Sequence, residues 1–190
     1  MPSLSNFKTA LTYGGVRPAL FNLTVYIPGT FGGSTMTGVA GLNEISTVCN
    51  VSAIPPLTVT PIEKQYFGRT VKIPGDIVYG DLSTTIFNTE DYGIRNAIEK
   101  WMDVINSHAD NEGFSDSTSW VTMADLTQYA KDGNSLMIYR FHDLWPTTLA
   151  ELPLSYDTAS DIEQFDVTWA YNYYTTSFTT GSPATLGDQS

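Results

Sequence analysis

Apolar and polar residues alternate one by one along several stretches of this chain, and that alternation constrains the fold more than any other feature. In "FDVTWAYNYY", which starts at Phe165, the residues at 165, 167, 169, 171 and 173 lie on one side and those between them on the other. "LFNLTVYI" near the start repeats the pattern, with apolar residues at 21, 23, 25 and 27. A period of two is typical of strands that bury one face, as in antiparallel sheets. The sequence therefore predicts a mainly β protein.

One segment follows a helical period instead. In "NTEDYGIRNAIEKWMDVIN" the apolar residues recur three and four positions apart, which predicts a helix over residues 89–106. Asn88 or Thr89 is placed to cap its start. We expect an antiparallel β-sandwich or barrel of two packed sheets with one flanking helix, in a single domain over residues 1–176. Residues 177–190 are expected to form a flexible tail.

The charge is strongly negative and unevenly distributed. The chain has 20 acidic residues against 9 basic ones, a formal net charge of −11. Such a balance argues against binding nucleic acid through its phosphates, since that affinity comes from Lys and Arg. Lys64, Arg69 and Lys72 lie in one short segment, and no basic residue follows Arg140. One basic segment on an acidic body is typical of a protein that associates with copies of itself.

The basic segment belongs to a stretch over residues 57–74 that we interpret as an extended loop. Its centre carries Tyr66 and Phe67. Exposed aromatics beside cations are usual at interfaces. The alternative is an ordinary hairpin whose aromatics fold back on the core, and the sequence leaves both open.

Residues that could carry catalysis or bind a metal do not combine into a site. His108 and His142 lack the spacing of a helical zinc pair, and Cys49 lies between strand-like residues, where an inert thiol is expected. Close carboxylates at Asp161, Glu163 and Asp166 are unsurprising in so acidic a chain. We therefore predict no catalytic residue, no cofactor and no metal. The absence of a long apolar run argues against a membrane span, and the N-terminus lacks the apolar segment of a secretory signal.

The stretch "HDLWPTTLAELPLSYD" is interpreted as a structural corner rather than an active-site loop. Leu144, Trp145 and Pro146 are predicted to fix a turn that feeds the strand from Phe165, with Leu149, Leu152 and Leu154 anchoring it.

Five motifs in order along the chain carry a family resemblance. They are "RPALFNLTV", "CNVSAIPP", "VKIPGDIVYGDLSTTIFN", "IRNAIEKW" on the predicted helix, and "LWPTTLAELPLSYDTASDIEQFDVTWAYNYY". In this order they resemble the tail tube proteins of T4-like contractile-tailed bacteriophages. The resemblance runs from Val16 to Thr175. It departs in the segment 28–44 and in the tail beyond Tyr174.

The resemblance implies a structural protein of the virion, synthesised in the host cytoplasm. Six copies are expected to form a ring, with inner-sheet strands joining a ring-wide β-barrel, and rings are expected to stack into a hollow tube. Implied partners are the tail sheath, the baseplate and the tape measure protein, while DNA passes through the bore without specific binding. Lys64, Tyr66, Phe67, Arg69 and Lys72 are the expected contacts between rings.

Two alternatives remain at the level of sequence. The chain could be the tube subunit of a secretion or extracellular injection system that carries effectors. It could also be a monomeric β-sandwich that binds carbohydrate, or a small hydrolase.

Overall fold

Twelve strands and one helix form the described part of the chain. The computed structural model describes residues 9, 15–28, 30–31, 34–35, 44–45, 49–108, 113, 120–155 and 162–177. The strands are β1 (Phe21–Tyr26), β2 (Thr30–Phe31), β3 (Ser34–Thr35), β4 (Glu44–Ile45), β5 (Cys49–Ser52), β6 (Leu57–Tyr66), β7 (Arg69–Tyr79), β8 (Leu82–Phe87), β9 (Thr122–Tyr129), β10 (Ser135–Leu149), β11 (Gln164–Ala170) and β12 (Tyr173–Thr176). The helix, α1, spans Gly93–Ile105. The tail beyond residue 177 and most of the 28–44 segment lie outside the described residues.

Eight of the strands form one antiparallel sheet that curls back on itself. Its order is β4-β1-β9-β10-β11-β8-β5, with β12 paired to β10 as a side branch. At its far end β5 lies beside β1, so the sheet is nearly closed into a barrel. The predicted mainly β fold with a flanking helix is confirmed.

The long strand β10 joins the two halves of this sheet. Its first part pairs with β9 and β12, and its second part pairs with β11. The register shifts between Phe141 and Leu144, and Asp143 between them adopts a positive φ of 57°. Asn172 donates a hydrogen bond to the Asp143 carboxylate at 2.9 Å, which fixes the bend. A bulge in β10 bends the strand, so that its first part pairs in one half of the sheet and its second part pairs in the other.

The core lies inside the curled sheet, where the predicted alternation places it as far as Trp169. Beyond Ala170, where β11 ends, the alternation fails, because Tyr173 is 44% exposed and Tyr174 packs against the core instead. Phe165, Val167 and Trp169 of β11 are buried, while Gln164 and Asp166 are exposed. The buried apolar side chains come from β1, β8, β9, β10, β11 and α1, and include Leu23, Val25, Leu82, Ile86, Phe141 and Leu144.

Helix α1 closes the core with its apolar face. Ile94, Ala97, Ile98 and Trp101 are buried. The Trp101 indole packs 5.8 Å from the ring of Trp169 and donates its N–H to the carbonyl of Trp120 at 2.7 Å. No helix in the described part of the chain is long and apolar enough to cross a membrane.

The sequence predicted that the helix begins at Thr89, but it begins at Gly93. The Thr89 hydroxyl donates to the Asp91 carboxylate, and that carboxylate accepts the N–H of Gly93 at 3.2 Å. Tyr92 then takes a left-handed conformation with φ 53° before the helix starts. Of the two residues expected to cap the helix, Thr89 instead stabilises a turn that precedes it, and the Asn88 amide donates to the Glu163 carboxylate at 2.9 Å.

Candidate interaction surface

Strands β6 and β7 form a hairpin that pairs with no other described strand. They make a two-stranded sheet of their own, in register from Leu57 opposite Tyr79 to Tyr66 opposite Arg69. The segment interpreted as an extended loop is therefore most of a long hairpin. Both strands are exposed along almost their whole length. A two-stranded hairpin alone is at best marginally stable in water, so this one is a candidate for being covered by another molecule.

The tip of the hairpin is a tight turn with an unusual residue in it. Phe67 and Gly68 connect the strands with positive φ values of 46° and 77°. Two-residue turns of this kind favour Asn-Gly, because phenylalanine at positive φ is disfavoured by contact between its Cβ and its backbone. The Phe67 side chain is 89% exposed and meets Tyr66 edge to face, with ring centroids 4.7 Å apart. The aromatics at the tip therefore do not fold back on the core.

The register divides the hairpin into two faces. Facing pairs share a side, so the first face carries, from base to tip, Leu57 with Tyr79, Val59 with Ile77, Pro61 with Pro74, Glu63 with Lys72, and Gln65 with Thr70. The second face carries Thr58 with Val78, Ile62 with Ile73, Lys64 with Val71, and Tyr66 with Arg69.

Near the tip, the first face satisfies its own polar groups. The ammonium of Lys72 lies 3.1 Å from the Glu63 carboxylate, and the Gln65 amide donates to the Thr70 hydroxyl at 3.2 Å. The second face behaves differently, because Lys64 and Arg69 have no ion pair among the described residues. Of the three basic residues expected to act together, two lie on one face and Lys72 lies on the other.

A bulge on β7 produces this arrangement. The register shifts between Val59 and Pro61, where β7 carries one residue more than β6. Gly75 lies in the bulge, and a Cβ there would come within 2.6 Å of the Thr60 carbonyl oxygen and 2.9 Å of Ile62. Glycine is required because no side chain fits at this close approach.

Aromatic rings anchor the base of the hairpin on the body. The ring of Tyr79 packs 5.5 Å from that of Tyr174 and 6.1 Å from that of Tyr171. The backbone N–H of Gly80 donates to the carbonyl of Pro56 at 3.0 Å, which closes the base. Burial raises the pKa of Tyr171 to about 12, with the neighbouring Tyr174 adding to the effect. The base is therefore fixed while the rest of the hairpin projects.

The predicted corner residues lie within β10, directly after the bend at Asp143. Leu144 and Pro146 are buried, and Pro146 faces Trp169 of β11. The Trp145 ring meets that of Trp120 at 5.7 Å. Leu149 and Leu152 pack against the core, whereas Leu154 is 77% exposed and does not anchor this segment.

The side chains considered for chemistry have structural contacts. Asp166 accepts the Thr85 hydroxyl at 2.6 Å, and Glu163 accepts the Asn88 amide at 2.9 Å. His142 stacks on Tyr173 with ring centroids 4.5 Å apart. Asp161 lies outside the described residues. Within the described ranges, no three His, Cys, Asp or Glu side chains are grouped to hold a metal ion.

The hairpin also contains residues that sequence reasoning missed. Ile62, Val71 and Ile73 are 46–50% exposed on the second face, beside Lys64 and Arg69. On β6 the sequence does indicate it, because the apolar residues have odd numbers at Leu57 and Val59 and an even number at Ile62, which places Ile62 on the other face. No equivalent signal exists on β7, because there the bulge makes the change.

The sequence profile of the phage tail tube protein family matches residues 16–177 of the chain. The tail tube protein gp19 of Enterobacteria phage T4 is 26% identical over 127 residues, which cover 66% of this chain and 78% of that protein.

Two solved structures share the fold. A chain of the sheath-tube complex of an extracellular contractile injection system, in its extended state, superimposes with a TM-score of 0.56 at 18% identity, covering 93% of this chain and 98% of that one. A chain of the anti-feeding prophage baseplate gives 0.60 at 7% identity, covering 85% and 95%. At these identities the likeness concerns the fold alone.

Proposed function

The chain belongs to the phage tail tube protein family, as a structural subunit of the tail tube and a component of the virion, and on that premise we propose that six copies close into a ring and that rings stack into a hollow tube. The family is structural and not enzymatic. The match to phage proteins over residues 16–177 is the observation that carries the proposal. It does not favour the alternative of a tube that carries effectors.

The proposed partners are further copies of the chain, the tail sheath, the baseplate and the tape measure protein. Support for the first three comes from the assemblies in which the fold recurs, a sheath-tube complex and a baseplate obtained with six-fold symmetry. The tape measure protein follows from membership of the family. Synthesis in the host cytoplasm is proposed on the same ground.

Within a ring, we expect strands of neighbouring copies to join into one continuous barrel around the bore. The branch strand β12 pairs with β10 on one side, and no described strand pairs with its other side. An edge of this kind can accept a strand from a neighbour. A closed ring of copies removes the exposed edges that an isolated subunit presents.

Between rings, the hairpin tip is the proposed contact. Lys64, Tyr66 and Arg69 share the second face, and Phe67 projects from the turn beside them. Their counterpart is an acidic surface of the adjacent ring, available because the chain carries 20 acidic residues against 9 basic ones. Lys72 takes part from the opposite face, with its charge partly compensated by Glu63.

DNA is proposed to pass through the tube without specific binding. Cationic groups along the bore would hold phosphates at every ring, whereas a chain with a net charge of −11 has few to offer. Repulsion by acidic groups acts within roughly 10 Å at cellular salt. The acidic composition thus fits a conduit.

The test is assembly of the purified full-length chain. We expect hexameric rings by native mass spectrometry, and stacked rings with a central bore by electron microscopy as the concentration rises. Dispersed monomers at every concentration, with the chain folded by circular dichroism, would contradict the proposal.

A further inference from the structure

A row of four side chains crosses the large sheet on the side away from the core. It runs from Thr24 of β1 through Asp125 of β9 and Arg140 of β10 to Thr175 of β12, each opposite the next. Asp125 and Arg140 form an ion pair in the middle of this row. We propose that Asp125 masks Arg140 and so keeps its guanidinium from binding the phosphates of DNA that passes along this side of the sheet. This rests on the proposed function, because it assumes that the chain forms a tube that conducts DNA.

The Asp125 carboxylate binds the guanidinium in the geometry that arginine also uses for phosphate. Arg140 donates from Nε to Oδ1 and from Nη2 to Oδ2, both at 2.8 Å. The Tyr26 hydroxyl donates to Oδ2 at 3.4 Å and helps to hold the carboxylate in place. The hydrogen bonds from Arg140 to Asp125, together with the charge of that carboxylate, raise the pKa of Arg140. Planar contacts with two hydrogen bonds are how arginine recognises carboxylate and phosphate alike, so Asp125 occupies donors that a phosphate would use.

The pair leaves Arg140 open to solvent. Its side chain is 51% exposed, whereas that of Asp125 is 13% exposed, so loss of the carboxylate alone would leave a half-exposed cation on the sheet. Within the four strands, the residues two positions along from the row are Asn22, Tyr26, Met123, Thr127, Ile138, His142 and Tyr173. None of them is a lysine or an arginine. In this described part of the sheet surface, Arg140 is therefore the only group of that kind to mask.

The topology indicates that this side of the sheet faces the bore. The next row, Val25, Ala124 and Phe141, points the opposite way and is buried in the core. The bulk of the subunit thus lies on the core side of the sheet. If β12 extends this sheet into a ring-wide barrel, the bulk of each subunit has to lie outside the barrel, because six of them would not fit within it. The side that carries Arg140 is then the inner one.

Repetition along a tube makes one unmasked arginine per subunit consequential. Each phosphate contact releases counterions, and contacts made by many subunits multiply in their effect on affinity. A pair that served only the stability of the sheet would behave differently. An exposed ion pair contributes little to folding, so breaking it would leave both the subunit and its indifference to DNA unchanged. Removal of Asp125 alone therefore separates masking from a structural role.

The test compares full-length wild type with the variant Asp125→Asn. Each protein is assembled into tubes in the presence of a short fluorescent DNA duplex. The tubes are sedimented, treated with nuclease to remove DNA on their outside, and denatured to release what they retained. At about 50 mM salt, Asp125→Asn should retain about tenfold more DNA than wild type, and the difference should disappear at about 200 mM salt, because binding through phosphates is lost as salt rises.

Two controls identify the group that binds. The double variant with Asp125→Asn and Arg140→Gln restores the net charge of the wild type and should retain no more DNA than it does. Glu99→Gln on α1 also removes one acid from an arginine, since Glu99 lies 3.0 Å from Arg95, but it lies outside this side of the sheet. It should leave DNA retention at the wild-type level.

The outcomes separate this inference from the proposed function. If wild-type protein forms no rings or tubes, the proposed function fails and the masking role fails with it. If tubes form but Asp125→Asn retains no more DNA than wild type, the masking role alone is wrong. It is also wrong if the double variant or Glu99→Gln retains as much as Asp125→Asn, or if the nuclease digests the bound DNA.

A second substitution covers the case in which Asp125→Asn does not fold or assemble. Asp125→Thr places a residue that favours strands beside Thr24 of the same row and should retain DNA in the same way. If neither variant folds and assembles, the pair is a structural requirement of the sheet, which overturns the masking role.

Discussion

Phe67 combines two features that stability alone does not explain. It holds a positive φ of 46°, and its side chain is 89% exposed. A non-glycine residue in this conformation costs about 1–2 kcal/mol. In the isolated subunit, so exposed a ring buries little apolar area that could offset this cost. Strain kept at an exposed position points to a role in binding.

Substituting Phe67→Asn should separate stability from assembly. Asparagine tolerates the left-handed turn, so the free energy of unfolding of the monomer should rise by about 1 kcal/mol. Tube formation should fall, because the projecting ring is lost. Chemical denaturation and electron microscopy measure the two effects. A variant that assembles like wild type would show that the ring makes no contact, and a less stable monomer would show that the turn is unstrained.

Tyr171 gives the subunit a specific response to alkaline pH. Burial raises its pKa to about 12 from the ordinary 10.0, and its hydroxyl is buried without a hydrogen-bond partner among the described residues. A raised folded-state pKa means that the folded protein holds the proton longer than the unfolded chain. The stabilisation is complete below about pH 10 and is lost as the pH rises towards about 12.

The variant Tyr171→Phe should therefore lose less stability at alkaline pH than the wild type. At neutral pH it should be at least as stable, because it removes a buried hydroxyl that has no described partner. Denaturation curves measured from about pH 8 to about pH 11 compare the two proteins across the window in which the unfolded tyrosine titrates. An equal decline in both would mean that the hydroxyl is as accessible folded as unfolded.

At the scale of elements, the hairpin allows a comparison of two cations near its tip. Arg69 lies on the second face without a described ion pair, and Lys72 lies on the first face, 3.1 Å from Glu63. The two side chains lie on opposite faces of the hairpin, and only Lys72 has a described ion pair, yet each contributes one positive charge to β7. The pair therefore tests whether the face or the net charge controls assembly.

We expect Arg69→Gln to shorten tubes markedly while the monomer stays folded, and Lys72→Gln to have a small effect. An exposed pair such as Glu63 with Lys72 contributes only about 0–1 kcal/mol to the hairpin, so its loss should not unfold it. Tube lengths in electron micrographs at matched concentration give the comparison. Equal shortening by both changes would show that total charge, not the face, is what matters.

At the scale of the whole molecule, the net charge of −11 predicts that a tube assembled from this chain binds DNA weakly. Tubes should not retard duplex DNA in a gel or pull it down in sedimentation at physiological salt, because few cations are available to displace counterions from phosphates. Binding that is strong at low salt and falls steeply as salt rises would contradict this expectation.

The sequence by itself determined the sheet, the core and the family. Alternation in "FDVTWAYNYY" correctly assigned Phe165, Val167 and Trp169 to the core, because a strand that buries one face must repeat every two residues. The helix was predicted from its apolar period, but its predicted start at Thr89 was wrong. It begins at Gly93, because hydrogen bonds of Thr89 and Asp91 form a separate turn ahead of it.

Tertiary structure alone decided where the chain bends and which way the hairpin residues point. The bend in β10 is held by a hydrogen bond between Asp143 and Asn172, which are far apart in sequence. The pair Trp145 and Pro146, which had suggested a turn, continues the strand beyond this bend. On β7, Val71 and Ile77 share odd positions and yet lie on opposite faces, because the extra residue at Gly75 reverses the alternation. A bulge depends on how two strands pair, so one strand's own sequence does not reveal it.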